Sequence, residues 1–516
     1  MKDYSRCLFG NVRSRNAPAV PLVCMILALM LAVPAGASLS ESVKQMLIQS
    51  GYKPSNVGVL VRDMTNDSVL IALNAEEPFI PASVQKLVTA SAAIDLLGID
   101  YRFQTKVFAG GAFDRDSGTI QGDLYVRGGG DPGFLAERLW LFVQHITHQG
   151  VRAIKGDLVL DDCFFSDNVS GPGFSEDKSS RAYEAPTAAL SASFNTVAVH
   201  VAPGSSVGSP VHVRPFPSIR GVKIVSTALT TAADKPSGIQ VKTEEMDGRT
   251  AILVYGGMSI DAKPRYVYRK VWQTWENFGW VLQALFDECG IVLEGRVRRA
   301  CVPDSVKASG PLYEFTSKPL TEFIGHMFKY SSNFAAEMVF RTIDAEKGTG
   351  KGTWKGAGDV IRKWWKAQDL PGAIPAANGS GMGNRNRLSP AQAVALLTRE
   401  WRAKTTAPDF VSALSVAGVD GTLERRFGSS RLKGIVRAKT GTLNNYGVGN
   451  LAGFVLLPDR TLVFAVLINN SGPDQYRHWE THQRILELSV PSPKKKRAGS
   501  RAAGPRDRGT ATKRDQ

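Results

Sequence analysis

SVQKLVTASAAIDLL, the segment from Ser83 to Leu97, is the most informative stretch of this 516-residue chain. Its apolar residues recur at helical spacing and Gly98 follows as a stop signal, so the sequence predicts a buried helix. Ser83 and Lys86 stand three residues apart and therefore share one face near the helix N-terminus. A serine hydroxyl is a weak nucleophile at neutral pH, and a lysine whose pKa is lowered by burial can serve as its base.

The Ser-x-x-Lys spacing is weak evidence by itself, because the chain contains it elsewhere. The other occurrences are Ser50/Lys53, Ser175/Lys178, Ser430/Lys433 and Ser492/Lys495. Ser83 differs from them because it follows an extended Pro-Ala entry and opens an apolar helix. We therefore take Ser83 as the candidate nucleophile and Lys86 as its base.

A second motif, Ser-x-Asn, also has several candidates. They are Ser166-Asp167-Asn168, Ser193-Phe194-Asn195 and Ser331-Ser332-Asn333. The first lies in a glycine-rich loop of a strand-rich region, whereas the third lies between two helical stretches of the helical region predicted over 318–345. A turn between two helices can present serine and asparagine side chains to a cleft, which favours Ser331 and Asn333.

Lys439-Thr440-Gly441 is the only Lys-Thr-Gly in the chain, and it continues into Thr442. It lies on a segment, 435–442, that we predict to be a β-strand. A strand with a small glycine allows another chain to approach its backbone, as in strand addition. The lysine supplies a cation for a substrate carboxylate.

Taken in order, Ser-x-x-Lys, Ser-x-Asn and Lys-Thr-Gly form the signature set of penicillin-recognising serine enzymes. The chain resembles the D-alanyl-D-alanine carboxypeptidase/endopeptidase family, the class C low-molecular-mass penicillin-binding proteins, over about residues 45–475. Further stretches carry the resemblance: 156–162 (GDLVLDD), 183–186 (YEAP) with Ser191 and Asn195, 378–381 (NGSG), Ser389-Pro390, 418–423 (GVDGTL) and 451–454 (LAGF). The long segment between the first and second motifs fits this family, whose extra domains are inserted there, and not the shorter β-lactamases.

The resemblance implies roles for the first two motifs. Ser83 is implied to be the nucleophile that forms an acyl-enzyme with the penultimate D-Ala carbonyl, and Lys86 its general base. Ser331 and Asn333 would relay protons and hold the peptide amide. β-Lactam antibiotics would acylate Ser83 as covalent inhibitors.

The third motif is implied to bind substrate. Lys439 and Thr440, with Gly441, would bind the terminal carboxylate. The backbone N–H of Thr442, together with that of the nucleophile, would form an oxyanion hole. Asp161 is likewise implied to be a substrate-binding residue.

The chain departs from the family pattern in a few places. Asn378 stands where the family commonly has Asp, and Met382-Gly383-Asn384 where it often has Leu-Ser-Arg, with Arg385 one place later. The shift of this arginine puts the preference for a particular diamino-acid crosslink in doubt. Cys163 stands where a serine is usual.

The resemblance implies an α/β (α+β) fold: a penicillin-binding transpeptidase-like domain, similar to the serine β-lactamases, with an antiparallel sheet flanked by helices. The expected segments are a catalytic domain at 38–102 and 306–490, an inserted domain II at 103–205 and 260–305, and a small β domain III at 206–259. Within the catalytic domain, the patterns predict a β-hairpin at 55–73, helices at 356–369 and 389–402, and strands at 435–442, 448–457 and 461–469.

The ends of the chain account for most of its net charge of +16. Residues 1–37 have a basic start, an apolar run and an Ala-x-Ala pattern, which predicts a signal peptide cleaved near Ala37 and a periplasmic location. Residues 491–516 are basic and nearly free of large apolar residues, which predicts a disordered tail whose contacts with anionic surfaces are loose. The body shows no zinc-finger spacing and no basic, aromatic-studded helix, so nucleic-acid binding is not expected.

Three cysteines remain after the leader: Cys163, Cys289 and Cys301. An exported compartment permits a disulfide, and the odd count leaves one thiol unpaired, but the spacing does not show which. Their spacing matches no zinc pattern, so neither a metal nor a cofactor is expected.

Three functions remain open. The first is a peptidase that trims D-Ala from peptidoglycan stem peptides or cuts D-Ala crosslinks. The second is a β-lactamase or esterase on the same scaffold, and the third is a non-catalytic cell-wall-binding protein. The sequence does not set the balance of carboxypeptidase to endopeptidase activity.

Overall fold

The computed structural model describes residues 38–174, 179–216 and 221–490. The predicted signal peptide and the predicted basic tail lie outside these residues. Among the described residues, no helix is both long and apolar enough to cross a membrane.

The helices are α1 Leu39–Gln49, α2 Gln85–Leu97, α3 Ala136–His148, α4 Trp275–Cys289, α5 Asp304–Ala308, α6 Leu320–Lys329, α7 Asn333–Lys347, α8 Trp354–Ala367, α9 Pro390–Arg402, α10 Ala407–Ala413 and α11 Gln475–Ser489. The strands are β1 Val57–Asp63, β2 Val69–Leu73, β3 Arg102–Ala109, β4 Phe113–Asp114, β5 Thr119–Ile120, β6 Leu124–Arg127, β7 Ala153–Ile154, β8 Leu158–Asp161, β9 Thr196–Ala202, β10 His212–Phe216, β11 Val222–Ser226, β12 Leu229–Thr231, β13 Gln240–Met246, β14 Arg249–Tyr255, β15 Gly257–Ser259, β16 Arg265–Lys270, β17 Val292–Leu293, β18 Val297–Arg299, β19 Tyr313–Pro319, β20 Ser415–Val416, β21 Val436–Leu443, β22 Val448–Leu456 and β23 Thr461–Ile468.

A six-stranded sheet in the order β2-β1-β23-β22-β21-β20 joins the two ends of the described chain. The predicted hairpin forms as β1 and β2, and β1 pairs antiparallel with β23 from Val57↔Ile468 to Asp63↔Leu462. Strands β22 and β23 are buried along almost their whole length, because both faces of the sheet are covered. The expected α/β fold with an antiparallel sheet flanked by helices is confirmed.

Two hydrophobic cores lie on opposite faces of this sheet, and the alternation along β23 separates them. Val463, Ala465 and Leu467 pack with α2 and the helices α6 to α9. Phe464 and Val466 pack on the other face with α1 and α11. The first core is the one that positions the site, because α2 and α7 run through it.

The helical stretch predicted over 318–345 is two helices. Chain direction changes between α6 and α7 at Ser331, whose φ of 55° places it in the left-handed region. Ser332 then caps α7 by accepting a hydrogen bond from the backbone N–H of Ala335 at 3.2 Å. This turn is the helix-to-helix connection expected to present Ser331 and Asn333.

The inserted segment is mainly β. A five-stranded sheet, β18-β8-β6-β3-β19, packs with α3 and α4. Its edge strand β19 pairs with β3, so the sheet of the insert continues past residue 306, where re-entry into the catalytic domain was expected. Strand β9 pairs with both β10 and β16, so one sheet spans the expected boundaries of domain III at 206 and 259.

The structure pairs the cysteines that the sequence left open. Cys163, after β8, forms a disulfide with Cys301, after β18, while Cys289 is a free thiol. The Asp161 carboxylate, only 1% exposed, accepts hydrogen bonds from the backbone N–H groups of Cys163 and Val302, both at 2.9 Å. Asp161 therefore stabilises the chain around the disulfide.

Candidate active site

Ser83 lies in a single 3₁₀ turn, Ala82–Val84, that leads directly into α2. Lys86 follows in the first turn of α2 and is fully buried, because this part of the helix is surrounded by protein on all sides. Its Nζ donates a hydrogen bond to Ser83 Oγ at 2.7 Å. The nucleophile and base expected from the sequence are therefore in direct contact.

Burial lowers the pKa of Lys86 to about 7, against an opposing, smaller effect of the negative charge of Glu337. A lysine with this pKa is neutral in a substantial fraction of molecules at neutral pH. It can then accept the proton of a serine hydroxyl.

Asn333, in the first turn of α7, brings the second motif into contact with Lys86. Lys86 Nζ donates to Asn333 Oδ1 at 2.7 Å, and Asn333 Nδ2 donates to the carbonyl oxygen of Tyr183 at 3.0 Å. Tyr183 belongs to the insert, so the insert contacts a candidate catalytic side chain directly. Of the other two Ser-x-Asn candidates, Asn195 holds Pro186 O and Ser191 Oγ, and Ser166 contacts Arg341.

Lys439 lies on β21 and is also fully buried. Its Nζ donates to Ser331 Oγ at 2.9 Å and to the carbonyl oxygen of Thr440 at 2.8 Å. Burial, reinforced by the positive charge of Lys86, holds the pKa of Lys439 well below its usual range. The three motifs thus meet through two lysines, each bound to a side chain of the second motif.

Gly441 permits the close approach of β21 to the nucleophile turn. A Cβ atom at this position would lie 2.6 Å from the carbonyl oxygen of Pro81 and 3.2 Å from the backbone nitrogen of Ser83. The Asn450 side chain on β22 donates to the same Pro81 oxygen at 2.9 Å and to Ile80 O at 2.9 Å. The strand and the turn are therefore packed backbone against backbone.

These groups open onto a cleft of about 480 Å³. Its lining includes Ser83, Ser331, Asn333 and Thr442 from the three motifs, Gly173, Arg181, Tyr183 and Glu184 from the insert, and 380–383 and 443–446 from loops of the catalytic domain. Asp161 does not line the cleft. Among the described residues its carboxylate accepts from the backbone at Cys163 and Val302, whereas the buried Lys86 and Lys439 bind motif side chains, so the structure does not bring Asp161 to the site.

Comparison with known proteins assigns this arrangement to a family. The sequence profile of the D-Ala-D-Ala carboxypeptidase 3 (S13) family matches residues 39–487. The chain belongs to this family. It is a serine-type D-alanyl-D-alanine carboxypeptidase, which confirms the class predicted from the three motifs.

Individual relatives agree with the S13 assignment. The chain is 31% identical over 473 residues to the D-alanyl-D-alanine carboxypeptidase of Actinomadura sp. strain R39, covering 88% of this chain and 86% of that protein. It is 26% identical over 448 residues to D-alanyl-D-alanine carboxypeptidase DacB of Haemophilus influenzae, covering 86% and 91%.

Among solved structures, penicillin binding protein 4 from H. influenzae superposes with a TM-score of 0.75 at 24% identity, covering 86% of this chain and 99% of that one. The same H. influenzae protein has been solved in complex with a β-lactam, with a TM-score of 0.71 to this chain at 23% identity, covering 86% of this chain and 98% of that one. These superpositions support the S13 fold.

Asn378, which stands where the resemblance led us to expect an aspartate, holds a loop, and none of its side-chain hydrogen bonds among the described residues reaches the candidate catalytic side chains. Its Nδ2 donates to Pro172 O at 2.7 Å and to Met382 O at 2.8 Å, while its Oδ1 accepts from Gly381 N at 2.8 Å. An aspartate could not donate either of the first two bonds. In this S13 enzyme the amide joins the catalytic domain to the 171–173 part of the insert.

Sequence reasoning missed several polar residues around the site. Glu337 binds the backbone of the 378–381 loop, the Ser380 carbonyl oxygen accepts from Lys86 Nζ at 3.0 Å, and Thr422 Oγ1 accepts from Thr440 Oγ1 at 2.9 Å. Two of them lie in stretches that carried the S13 resemblance, NGSG and GVDGTL. That resemblance was the available signal, but it did not say what the side chains contact.

Proposed function

We propose that this enzyme hydrolyses the terminal D-Ala-D-Ala bond of peptidoglycan stem peptides, and D-Ala crosslinks, through an acyl-enzyme on Ser83. The observation that supports this best is the 2.7 Å hydrogen bond between Lys86 Nζ and Ser83 Oγ in a fully buried setting. The predicted leader places this reaction in the periplasm.

In the acylation step, Ser83 Oγ attacks the carbonyl carbon of the penultimate D-Ala while its proton passes to neutral Lys86. The carbon–nitrogen bond then breaks, the serine ester forms, and the leaving amine takes a proton from Lys86, with Ser331 as relay. Backbone N–H groups of Ser83 and Thr442 bind the oxyanion, each contributing roughly 3 kcal/mol. Water hydrolyses the ester in the second half-reaction and restores the serine.

Lys439 and Thr440 bind the carboxylate of the terminal D-Ala. A carboxylate beside Lys439 favours the ammonium form and offsets the burial that lowers its pKa. In the described chain, strand β20 pairs with β21 only at Arg437 and Ala438, and the substrate lies along the rest of this edge of β21 as an added strand. No step requires a metal or a cofactor.

β-Lactams, the class of compound in the H. influenzae complex, acylate the same serine, because their strained amide resembles the D-Ala-D-Ala end. The test uses a fluorescent penicillin and purified muropeptides, with Ser83→Ala beside the wild type. We expect the wild type to label and release D-Ala, and the variant to do neither, with turnover reduced about a millionfold.

Each other outcome has a definite meaning. Covalent labelling of Ser83→Ala would show that another residue is the nucleophile. A wild type that labels but leaves muropeptides intact would indicate the cell-wall-binding alternative. Rapid release of hydrolysed penicillin would indicate a β-lactamase.

A further inference from the structure

We propose that Glu337 is a positioning residue of this active site, which holds the 378–381 loop so that the Ser380 carbonyl oxygen engages Lys86. This assignment rests on the proposed roles of Ser83 and Lys86. It concerns a side chain that belongs to none of the three motifs and does not line the cleft.

Glu337 lies one turn after Asn333 on α7, so both side chains project from the same face of the helix. Its carboxylate is 1% exposed and accepts three N–H donors. Oε1 accepts from Ser380 N at 2.8 Å, and Oε2 accepts from Trp354 Nε1 at 2.7 Å and from Gly379 N at 3.2 Å. An ionised carboxylate can only accept hydrogen bonds, and all three groups that contact it here are N–H donors.

The same two loop residues direct their carbonyl oxygens to α2. Ser380 O accepts from Lys86 Nζ at 3.0 Å, and Gly379 O accepts from Thr89 Oγ1 at 2.7 Å. The loop is therefore held between Glu337 on one side and the helix of the nucleophile on the other. Releasing its N–H groups would free the carbonyl that helps to fix the position of the lysine.

The loop also packs directly on the backbone of α7. A Cβ atom at Gly379 would lie 2.5 Å from the carbonyl oxygen of Ala336. The side chain of Glu337 and the backbone of its neighbour thus contact one loop together. The loop has little room to find another position while these contacts persist.

Glu337 also supplies a negative charge close to the base, where it raises the pKa of Lys86 against the effect of burial. Two cationic side chains of the described residues also interact with this pair. Lys439, from β21, interacts with Lys86, and Arg341, on α7, interacts with Glu337. Removing the carboxylate charge should leave Lys86 neutral down to a lower pH.

The test measures the rate of fluorescent-penicillin acylation from pH 5.5 to 9 in the full-length protein. Glu337→Gln removes the charge and places an amide donor against N–H groups. We expect its maximal rate to fall roughly 10- to 100-fold and the midpoint of its pH profile to move about one unit lower. Glu337→Asp keeps the charge with a shorter reach, so we expect a reduced rate and the wild-type midpoint.

Asp344→Asn is the matched control. Asp344 is a second buried carboxylate on α7 and accepts from the backbone N–H groups of Thr349 and Thr353, at 2.8 and 2.6 Å, but it has no contact with the 378–381 loop. Its loss should lower thermal stability and leave the pH midpoint unchanged. Rates are compared per folded molecule, measured by circular dichroism.

The outcomes separate this assignment from the proposed function. A Glu337→Gln profile with the wild-type midpoint and a rate loss no larger than that of Asp344→Asn would reduce Glu337 to a structural role. A wild type that is not acylated at Ser83 would overturn the proposed function and this assignment with it. Normal wild-type acylation with an unchanged Glu337→Gln overturns the assignment alone.

Discussion

At the scale of single residues, the main feature of the candidate active site is a pair of buried lysines. Lys86 and Lys439 are both fully buried, and each donates to one side chain of the second motif. Burial favours the neutral form of both amines. A neutral amine can accept a proton during a reaction and release it again. The lowered pKa of Lys86 is what suits it to the proposed role of general base.

The pH dependence of acylation follows from this burial. Lys86 must be neutral to accept the serine proton, and its pKa is about 7, so the neutral fraction rises as pH passes through that value. We expect the rate of penicillin labelling to rise about tenfold per pH unit below that value and to level off above it. The labelling rate is measured at a series of pH values from reactions quenched at set times. A flat profile, or a rise confined to pH above 9, would contradict a lysine base of this pKa.

Among the structural elements, α6 and α7 are separated by one residue with a left-handed backbone conformation, and the turn between them lies at the candidate active site. The sequence predicted helices over 318–345 with Ser331 in a turn between two helical stretches, and α6 and α7 confirm this. The break depends on Ser331, whose backbone conformation is unfavourable for residues other than glycine. The hydrogen bond from Lys439, on a distant strand, is one of the contacts that hold Ser331 in place.

Two helix glycines give opposite predictions for stability. A Cβ atom at Gly325 on α6 would meet nothing within 4 Å, whereas at Gly358 on α8 it would lie 2.3 Å from Ala376 O. Gly325→Ala should therefore stabilise the protein by roughly 0.5–1 kcal/mol, because alanine reduces the backbone entropy of the unfolded chain. Gly358→Ala should destabilise it by about 1–3 kcal/mol through overpacking.

Calorimetry on the two variants and the wild type tests this pair, because the substitution is chemically the same in both. The unfolding temperature should rise for Gly325→Ala and fall for Gly358→Ala. Equal shifts in one direction would contradict the difference in packing between the two positions, open space at Gly325 and close contact at Gly358.

In the whole molecule, Arg341 joins the catalytic domain to the insert. It is fully buried on α7, and its guanidinium donates to Gly352 O at 2.8 Å, Thr187 O at 2.7 Å and Ser166 O at 2.8 Å. Two of these acceptors belong to the insert. The planar fork of arginine satisfies all three at once, which a lysine ammonium cannot do in the same geometry.

We expect Arg341→Lys to destabilise the protein by about 2 kcal/mol and to lower its unfolding temperature by roughly 2 °C. Scanning calorimetry gives the measurement. Arg425→Lys, at an exposed position, is the control and should change stability by less than about 0.5 kcal/mol. An unfolding temperature for Arg341→Lys equal to that of the control would show that the insert is held by other contacts.

The sequence alone was enough to identify the three motifs, the buried helix after Ser83 and the family, because these depend on local spacing and hydrophobic pattern. It favoured Asn333 over Asn195, and in the described chain Asn333 is the one of these two that contacts Lys86. It also predicted the hairpin, from its alternation of apolar and polar residues, and the C-terminal strands. All of these signals are short in range.

Only the tertiary structure showed the disulfide partner of Cys163, the place of Asp161 beside it, and the contact of Glu337 with the 378–381 loop. These depend on residues far apart in the chain that meet when the insert folds against the catalytic domain. A pattern along the chain identifies groups that carry chemistry, but burial and distance determine what they do. For Lys86, the sequence supplies the amine, and burial in the surrounding protein lowers its pKa to about 7, the value that its proposed role as a base requires.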